Sequence, residues 1–265
     1  SVFTASAALR GAEAVVVAGP YPGSRTVGMP RETGNALIVF LKYPEAGRVK
    51  TRLGKEIGNR RAAEFYYETA NFVASSFSGS LKWETFFFYT PWERKKEVLQ
   101  WLGGYEAVFF AQEEGSLGQR MCRAFGECFS LGFRNVVIIG TDCVMITKED
   151  VETSFSLLSG GDFEAVIGPA TDGGYYLLGL SRQTDFLFQN ITWSSSGVFE
   201  ETRKRLQKSG LRHVVMRELV DIDTKVDIRI EDIMTRDPQL AYRLEKVLSN
   251  EQETSAEKAS EGSPI

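Results

Sequence analysis

The chain has 265 residues and a formal net charge of −4, with 31 Lys and Arg against 35 Asp and Glu and a hydrophobic fraction of 43%. That is length for one sizeable core of ordinary globular composition, and a charge balance that carries no nucleic-acid footprint. A single histidine, His213, excludes a multi-histidine metal site, and three cysteines (Cys122, Cys128, Cys143) without a CxxC pair argue against a disulfide framework and for a reducing, cytoplasmic compartment.

Residues 1–34 are rich in Ala, Gly and Ser, with prolines at 20, 22 and 30, and read as a flexible extension. A trimmed organelle leader, bound for a lumen such as the plastid, is the alternative. Thereafter apolar runs alternate with amphipathic stretches. Residues 36–41 (ALIVFL) read as a buried strand, and 59–77 carries Ala62, Phe65, Tyr66, Phe72 and Val73 at helical spacing. Residues 85–89 form a second strand, and Pro91 opens a helix through Leu102. Strands follow at 107–111 and 135–140, with a helix entered from the EEGSLGQRM stretch between them. A helix at 148–158, strands at 164–170 and 175–180, a helix at 196–210 and a strand at 212–216 come next. Two helices, 225–234 and 238–249, complete the domain, and residues 250–265 are too polar to order themselves. No apolar run reaches the roughly 18 residues of a transmembrane helix, so no membrane partner is expected.

This alternation predicts an α/β fold, a single-domain three-layer sandwich over residues 35–249, with a mostly parallel sheet and helices on both faces. Ligands in such sheets sit beyond the carboxyl ends of the strands. Those ends carry the charged motifs. In LKYPEAGRVKTRLG, Gly47 permits close approach of backbone to a ligand, and Arg48, Lys50 and Arg52 alternate, so an extended segment places all three on one side. A polyphosphate would relieve their mutual repulsion; a solvated basic loop is the plain alternative. Asp142, just past an apolar strand, suits Mg²⁺, which needs one or two protein carboxylates; alternatively it or Thr147 caps the helix at 148. Asp172 with Gly173 and Gly174 makes either a ligand-facing turn or an ordinary one. Asp221 and Asp223, two apart, call for a cation between them: a metal, or Lys225 or Arg217. His213 reads as packed or capped, and Cys143 has nothing beside it that marks a nucleophile.

The order FLKYPEAGRVKTRL, EGSLGQRM, VVIIGTDC, GPATDGGYYLLGL, ITWSSS, VDIDT, from about residue 36 to 235, resembles a family of uncharacterised glycosyltransferase-like proteins with the GT-A nucleotide-diphospho-sugar transferase fold. A more distant likeness extends to the phospholactate and molybdenum-cofactor guanylyltransferases. The resemblance implies that Gly47, Arg48, Lys50 and Arg52 hold nucleotide phosphates and that Leu117, Gly118 and Arg120 line the base or ribose side. It implies that Asp142, Asp221 and Asp223 bind Mg²⁺ or Mn²⁺. Asp172, Gly173, Gly174 and Tyr175, with Trp193 of the ITWSSS motif, would meet the acceptor or sugar. The family's strand-end motif continues with Pro-Asp where this chain has Val144-Met145, so its second acid is missing.

Two mechanisms fit. In nucleotidyl transfer an acceptor phosphate attacks the α-phosphorus of a nucleotide while Mg²⁺ on Asp142 and Asp223 bridges phosphate oxygens and Lys50 and Arg52 neutralise charge building on the pyrophosphate. In glycosyl transfer Asp172 deprotonates an acceptor hydroxyl. The expected partners are a nucleotide or nucleotide-sugar donor and a small-molecule acceptor, with homo-oligomerisation left open. A non-catalytic nucleotide-binding module is the alternative.

Overall fold

In a computed structural model of the protein, residues 34–193 and 195–249 are described, together with three short strands, β1 (Ala8–Leu9), β2 (Ala12–Glu13) and β3 (Val15–Val17). Most of the 1–34 segment and all of 250–265 lie outside the described residues. The backbone divides into two compact units: the described residues up to Tyr43 with Val73–Asp221, and Pro44–Phe72 with the residues from Ile222 on.

The first unit holds the sheet. Its strands are β4 (Asn35–Lys42), β5 (Glu84–Thr90), β6 (Ala107–Ala111), β7 (Asn135–Ile139), β8 (Ala165–Pro169), β9 (Tyr175–Leu180) and β10 (His213–Val215). With β3 they form one sheet in the order β10-β8-β9-β7-β4-β5-β6-β3. Four pairings are parallel (β10 with β8, β4 with β5 and β7, β5 with β6) and three are antiparallel (β9 with β7 and β8, β3 with β6). The central strand β4 is buried from Asn35 to Val39, as its near-continuous apolar run requires of a strand covered on both faces.

Alternate residues serve the two faces. Ala36, Ile38, Phe86, Phe88, Val136, Ile138, Leu178 and Leu180 join a core with Met121, Ala124, Phe125 and Cys128 of α4 (Leu117–Ser130) and Leu206 of α6 (Val198–Lys208). On the other face α5 (Lys148–Ser159) packs against β7, β8 and β9, and the backbone of Gly179 lies close enough to Leu158 that an added Cβ would sit 3.2 Å from its Cδ1. The α/β sandwich with helices on both faces is therefore as the sequence predicts.

The three earlier helices are α1 (Thr51–Ile57), α2 (Asn59–Phe77) and α3 (Lys95–Leu102). α2 keeps the predicted bounds, and its residues divide between the units at Phe72. The helix expected from Pro91 begins instead as a 3₁₀ turn at Trp92–Arg94 that passes into α3. Helix α1 is a correction. The one-sided placement of Arg48, Lys50 and Arg52 needs an extended segment, but the chain is helical from Thr51, because Leu53 and Ile57, one turn apart, are both buried, with Gly54 beside them. The alternation argument for Arg48, Lys50 and Arg52 fails with it. In the second unit the expected 225–234 helix is a 3₁₀ turn, Lys225–Asp227, followed by α7 (Ile230–Arg236), and α8 (Pro238–Ser249) follows, its Leu240 amide capped by Asp237 at 2.7 Å. α7 and α8 pack on each other, Arg243 pairs with Glu68 of α2 at 2.7 Å, and Arg236 lies over the Phe72 ring.

Candidate functional site

The sheet's carboxyl edge gathers most of the motifs in the first unit. The β8–β9 turn places Asp172, Gly173 and Gly174 there, since β9 runs back antiparallel from Tyr175. Leu219 bridges Ala170 in parallel, so Asp221 lies just past the same edge. Gln112 follows β6 and Asp142 follows β7 at their carboxyl ends. His213 begins β10, which runs parallel to β8, and so stands at the opposite edge; its Nδ1 lies 3.0 Å from the Leu211 carbonyl, the capped place expected of it.

Helix α4 starts at this edge because Ser116 closes a capping box: its hydroxyl accepts from the Gln119 amide and the Gln119 side chain accepts from the Ser116 amide. Leu117, Gly118 and Arg120 occupy its first turn. Gly118 has no room for a side chain: a Cβ would lie 2.4 Å from Cζ2 of Trp193 and 2.5 Å from its Cε2 and Nε1. The missing side chain is what lets the indole lie flat on the helix. Trp193, like Tyr175 and Phe199, packs against the core. Arg120 donates through Nη1 to Gln112 Oε1 at 2.6 Å, and burial lowers its proton affinity. Gln112 is buried and donates through Nε2 to the carbonyls of Phe88 (2.7 Å) and Leu41 (3.3 Å), so one amide ties the ends of β4 and β5 to α4.

Asp142 is half-buried, and α5 is capped by Thr147 and Asp150 in a box of their own, which settles the capping alternative in favour of Thr147. Burial and the nearby Asp221 carboxylate push the Cys143 thiol up, against the Met145 and Ile146 amides, so it stays protonated and inert. Asp172 is exposed and its Oδ1 accepts from the Gly174 amide at 2.9 Å. Gly173, at φ 89°, accepts from the Phe199 amide at 2.9 Å, and a Cβ there would fall 2.0 Å from the Ser196 carbonyl oxygen. The turn is thus pressed against the segment that leads into α6. Burial pushes the Tyr175 hydroxyl up, and the hydroxyl donates to the Met121 sulfur at 3.8 Å.

Gly47, Arg48, Lys50, Arg52 and Asp223 belong to the second unit. Gly47 turns the chain at φ 76°, and the Arg48 amide donates to the Glu45 carbonyl at 3.0 Å. Lys50 takes the left-handed conformation (φ 45°, ψ 45°) just before α1, and its side chain is only 3% exposed. Its ammonium donates to the Ile222 carbonyl and stands 3.5 Å from Asp223 Oδ1. Arg52, 60% exposed, meets Asp223 Oδ2 at 3.1 Å. Both oxygens of Asp223 therefore face cations, which gives it a counter-ion's place; the repulsion inferred among the basic residues is already relieved by the protein itself. The basic partners of Asp223 are these two, where the sequence suggested Lys225 or Arg217. Asp221, two residues earlier, keeps different company, beside Cys143 in the first unit.

Two partnerships escaped the sequence. Gln112 stands just past an apolar strand end, as the sequence places it, but nothing there marks its bond to Arg120. Asp150 and Arg217, 67 residues apart, form a two-armed ion pair at 3.0 and 2.7 Å. Among the described residues no group of three or more His, Cys, Asp and Glu is placed to hold a metal, and no helix is long and apolar enough to cross a membrane.

Fold and edge chemistry together define a nucleotide-diphospho-sugar transferase-like fold. A crystal structure from Desulfovibrio desulfuricans G20, assigned provisionally as a nucleotide-diphospho-sugar transferase, has 28% identity and a TM-score of 0.68, with 83% of this chain and 89% of that chain covered. Residues 74–195 match the model of the family described as "Uncharacterized protein conserved in bacteria (DUF2064)". The resemblance read from the motifs holds over that span, which includes Leu117–Arg120, Asp142 and Asp172–Trp193; the basic loop and Asp221–Asp223 lie outside it. A 4-diphosphocytidyl-2C-methyl-D-erythritol synthase from Anaerococcus prevotii DSM 20548 is also similar, at 9% identity and a TM-score of 0.48, with 78% of this chain and 99% of that chain covered. No curated protein matches the chain.

Proposed function

We propose that the chain is a transferase acting on a nucleotide sugar or a nucleoside triphosphate, with a small-molecule acceptor. The observation that carries this reading is the convergence of Arg120, Asp142, Asp172 and Asp221 on the carboxyl edge of one sheet whose fold is shared, at 28% identity, with the Desulfovibrio protein. Within the first unit, Asp142 and Asp221 are the carboxylates with the right chemistry for Mg²⁺ or Mn²⁺: both follow strand ends, and neither needs to supply more than one oxygen. A bound divalent ion would neutralise phosphate charge there.

The chain's own groups supply the rest. Leu117, Gly118 and the indole of Trp193 offer an apolar surface beside Arg120, suited to a base or sugar face. Asp172, exposed on a rigid turn, is the group placed to take a proton from an acceptor hydroxyl if the transferred group is a sugar; in nucleotidyl transfer no such base is needed. Gly173, Gly174 and Tyr175 shape that turn. The second unit, taken by itself, carries Arg48 and Arg52 as exposed cations, and there Lys50 holds the 222–223 segment and shares Asp223 with Arg52.

The test is binding and turnover across nucleoside triphosphates and UDP-, GDP- and ADP-sugars, each with Mg²⁺ and with EDTA. Saturation at 100 times the dissociation constant adds about 2.7 kcal/mol to stability. One nucleotide class should bind in a Mg²⁺-dependent way that Asp142→Ala abolishes. Binding indifferent to EDTA and to Asp142→Ala, without turnover, would identify a non-catalytic module, the reading that Val144-Met145 favours.

A further inference from the structure

We infer that Arg120 is a receptor for a phosphate oxygen, with Gln112 as the positioning residue that holds its guanidinium in place without neutralising it. The inference rests on the transferase reading for its ligand class but not for its geometry. Among the described residues no carboxylate pairs with Arg120, and its buried Nε has no hydrogen-bond partner; the Gln112 amide oxygen at 2.6 Å is what it has. The other well-placed arginines of this fold are compensated: Arg217 by Asp150, Arg243 by Glu68, Arg205 by Glu201. A half-buried cation left with a neutral partner retains its full charge for something outside the chain.

Gln112 is suited to this and a glutamate is not. Its Nε2 donates to the Phe88 and Leu41 carbonyls, which fixes the amide so that Oε1 must face Arg120. A carboxylate there would confront two carbonyl oxygens and quench the guanidinium. Gln112 is committed by those bonds and is not free to read a base. Arg120 therefore serves a phosphate, not the base or ribose that the resemblance assigns to it. That phosphate comes from the donor's chain or from a phosphomonoester acceptor.

Calorimetric titration of inorganic pyrophosphate, the nucleoside triphosphates, the nucleotide sugars and a hexose 1-phosphate into wild type, Arg120→Gln, Arg120→Lys and Gln112→Glu makes the test, with melting temperatures of every variant. Pyrophosphate affinity should fall on the order of tenfold or more in Arg120→Gln and in Gln112→Glu, and less in Arg120→Lys. Gln112→Glu keeps the arginine, so loss in a variant that still melts cooperatively above the titration temperature reports charge and not unfolding. Triphosphate or nucleotide-sugar binding that falls alongside pyrophosphate names the donor as the source; a fall confined to pyrophosphate and the hexose phosphate names the acceptor. Arg120-dependent pyrophosphate binding in a wild type that takes no nucleotide would sink the transferase reading and leave the receptor standing. Wild-type affinity in folded Arg120→Gln and Gln112→Glu, or no phosphate probe bound by wild type, overturns the receptor.

Discussion

Gly118→Ala opposes two effects of known size. Alanine is favoured over glycine in a helix by about 1 kcal/mol, less in the first turn. Against this, the new methyl would sit 2.4–2.5 Å from three indole atoms of Trp193, where ordinary contact needs 3.4 Å or more. The ring must retreat by roughly 1 Å from a position in which it packs on the core, and overpacking of that kind costs about 1–3 kcal/mol. The net expectation is a loss of about 0–2 kcal/mol, or a fall of a few degrees in melting temperature. Gly126→Ala, in the same helix, is the control: its nearest neighbour would be Gln183 Nε2 at 3.6 Å, so it should gain up to about 1 kcal/mol. Melting curves give the energies. Trp193 emission, read as the difference from Trp193→Phe, reports the displaced ring and should change in Gly118→Ala alone. Equal stabilisation by both alanines, with unchanged emission, would refute the packing of Trp193 on α4.

Two further perturbations test other parts of the edge. Gly173→Ala sets a Cβ 2.0 Å from the Ser196 carbonyl at φ 89°, and should cost more than about 3 kcal/mol, whereas Gly174→Ala meets the Asp172 carboxylate, with Oδ1 nearest at 3.1 Å, and should cost about 1; chemical denaturation that ranks them equally would refute the turn geometry. Burial pushes the Asp150 carboxyl up, and the hydrogen bonds from Arg217 and Thr147 outweigh it, so the group is held below its ordinary value of 3.8. A depressed carboxylate contributes stability that is present above its unfolded value and lost as pH falls through the folded one. Asp150→Asn should thus cost about 1–2 kcal/mol at neutral pH, discounted because the Arg217 side chain is 54% exposed, and the gap to wild type should close as pH falls below about 4. A gap independent of pH would mean that the charge of Asp150 contributes nothing.

What was legible in the sequence was whatever neighbouring residues decide. ALIVFL had to be a buried strand, α2 keeps its predicted bounds, and the acids and glycines after the strands fall on the sheet's carboxyl edge because a crossover sheet leaves them nowhere else. Partnership between distant segments was not legible. The helix at Thr51–Ile57 was missed because its burial, not its charge pattern, forms it. That Asp223 faces Lys50 and Arg52, 171 or more residues away, carries no mark in the local sequence. That Trp193 covers Gly118, that Gln112 orients Arg120 and that Arg217 answers Asp150 depend on strand order and on the antiparallel return of β9. Local periodicity records which face of an element is buried; only tertiary packing chooses which polar groups meet there, because each such bond closes a loop whose ends carry no mark of one another in the chain.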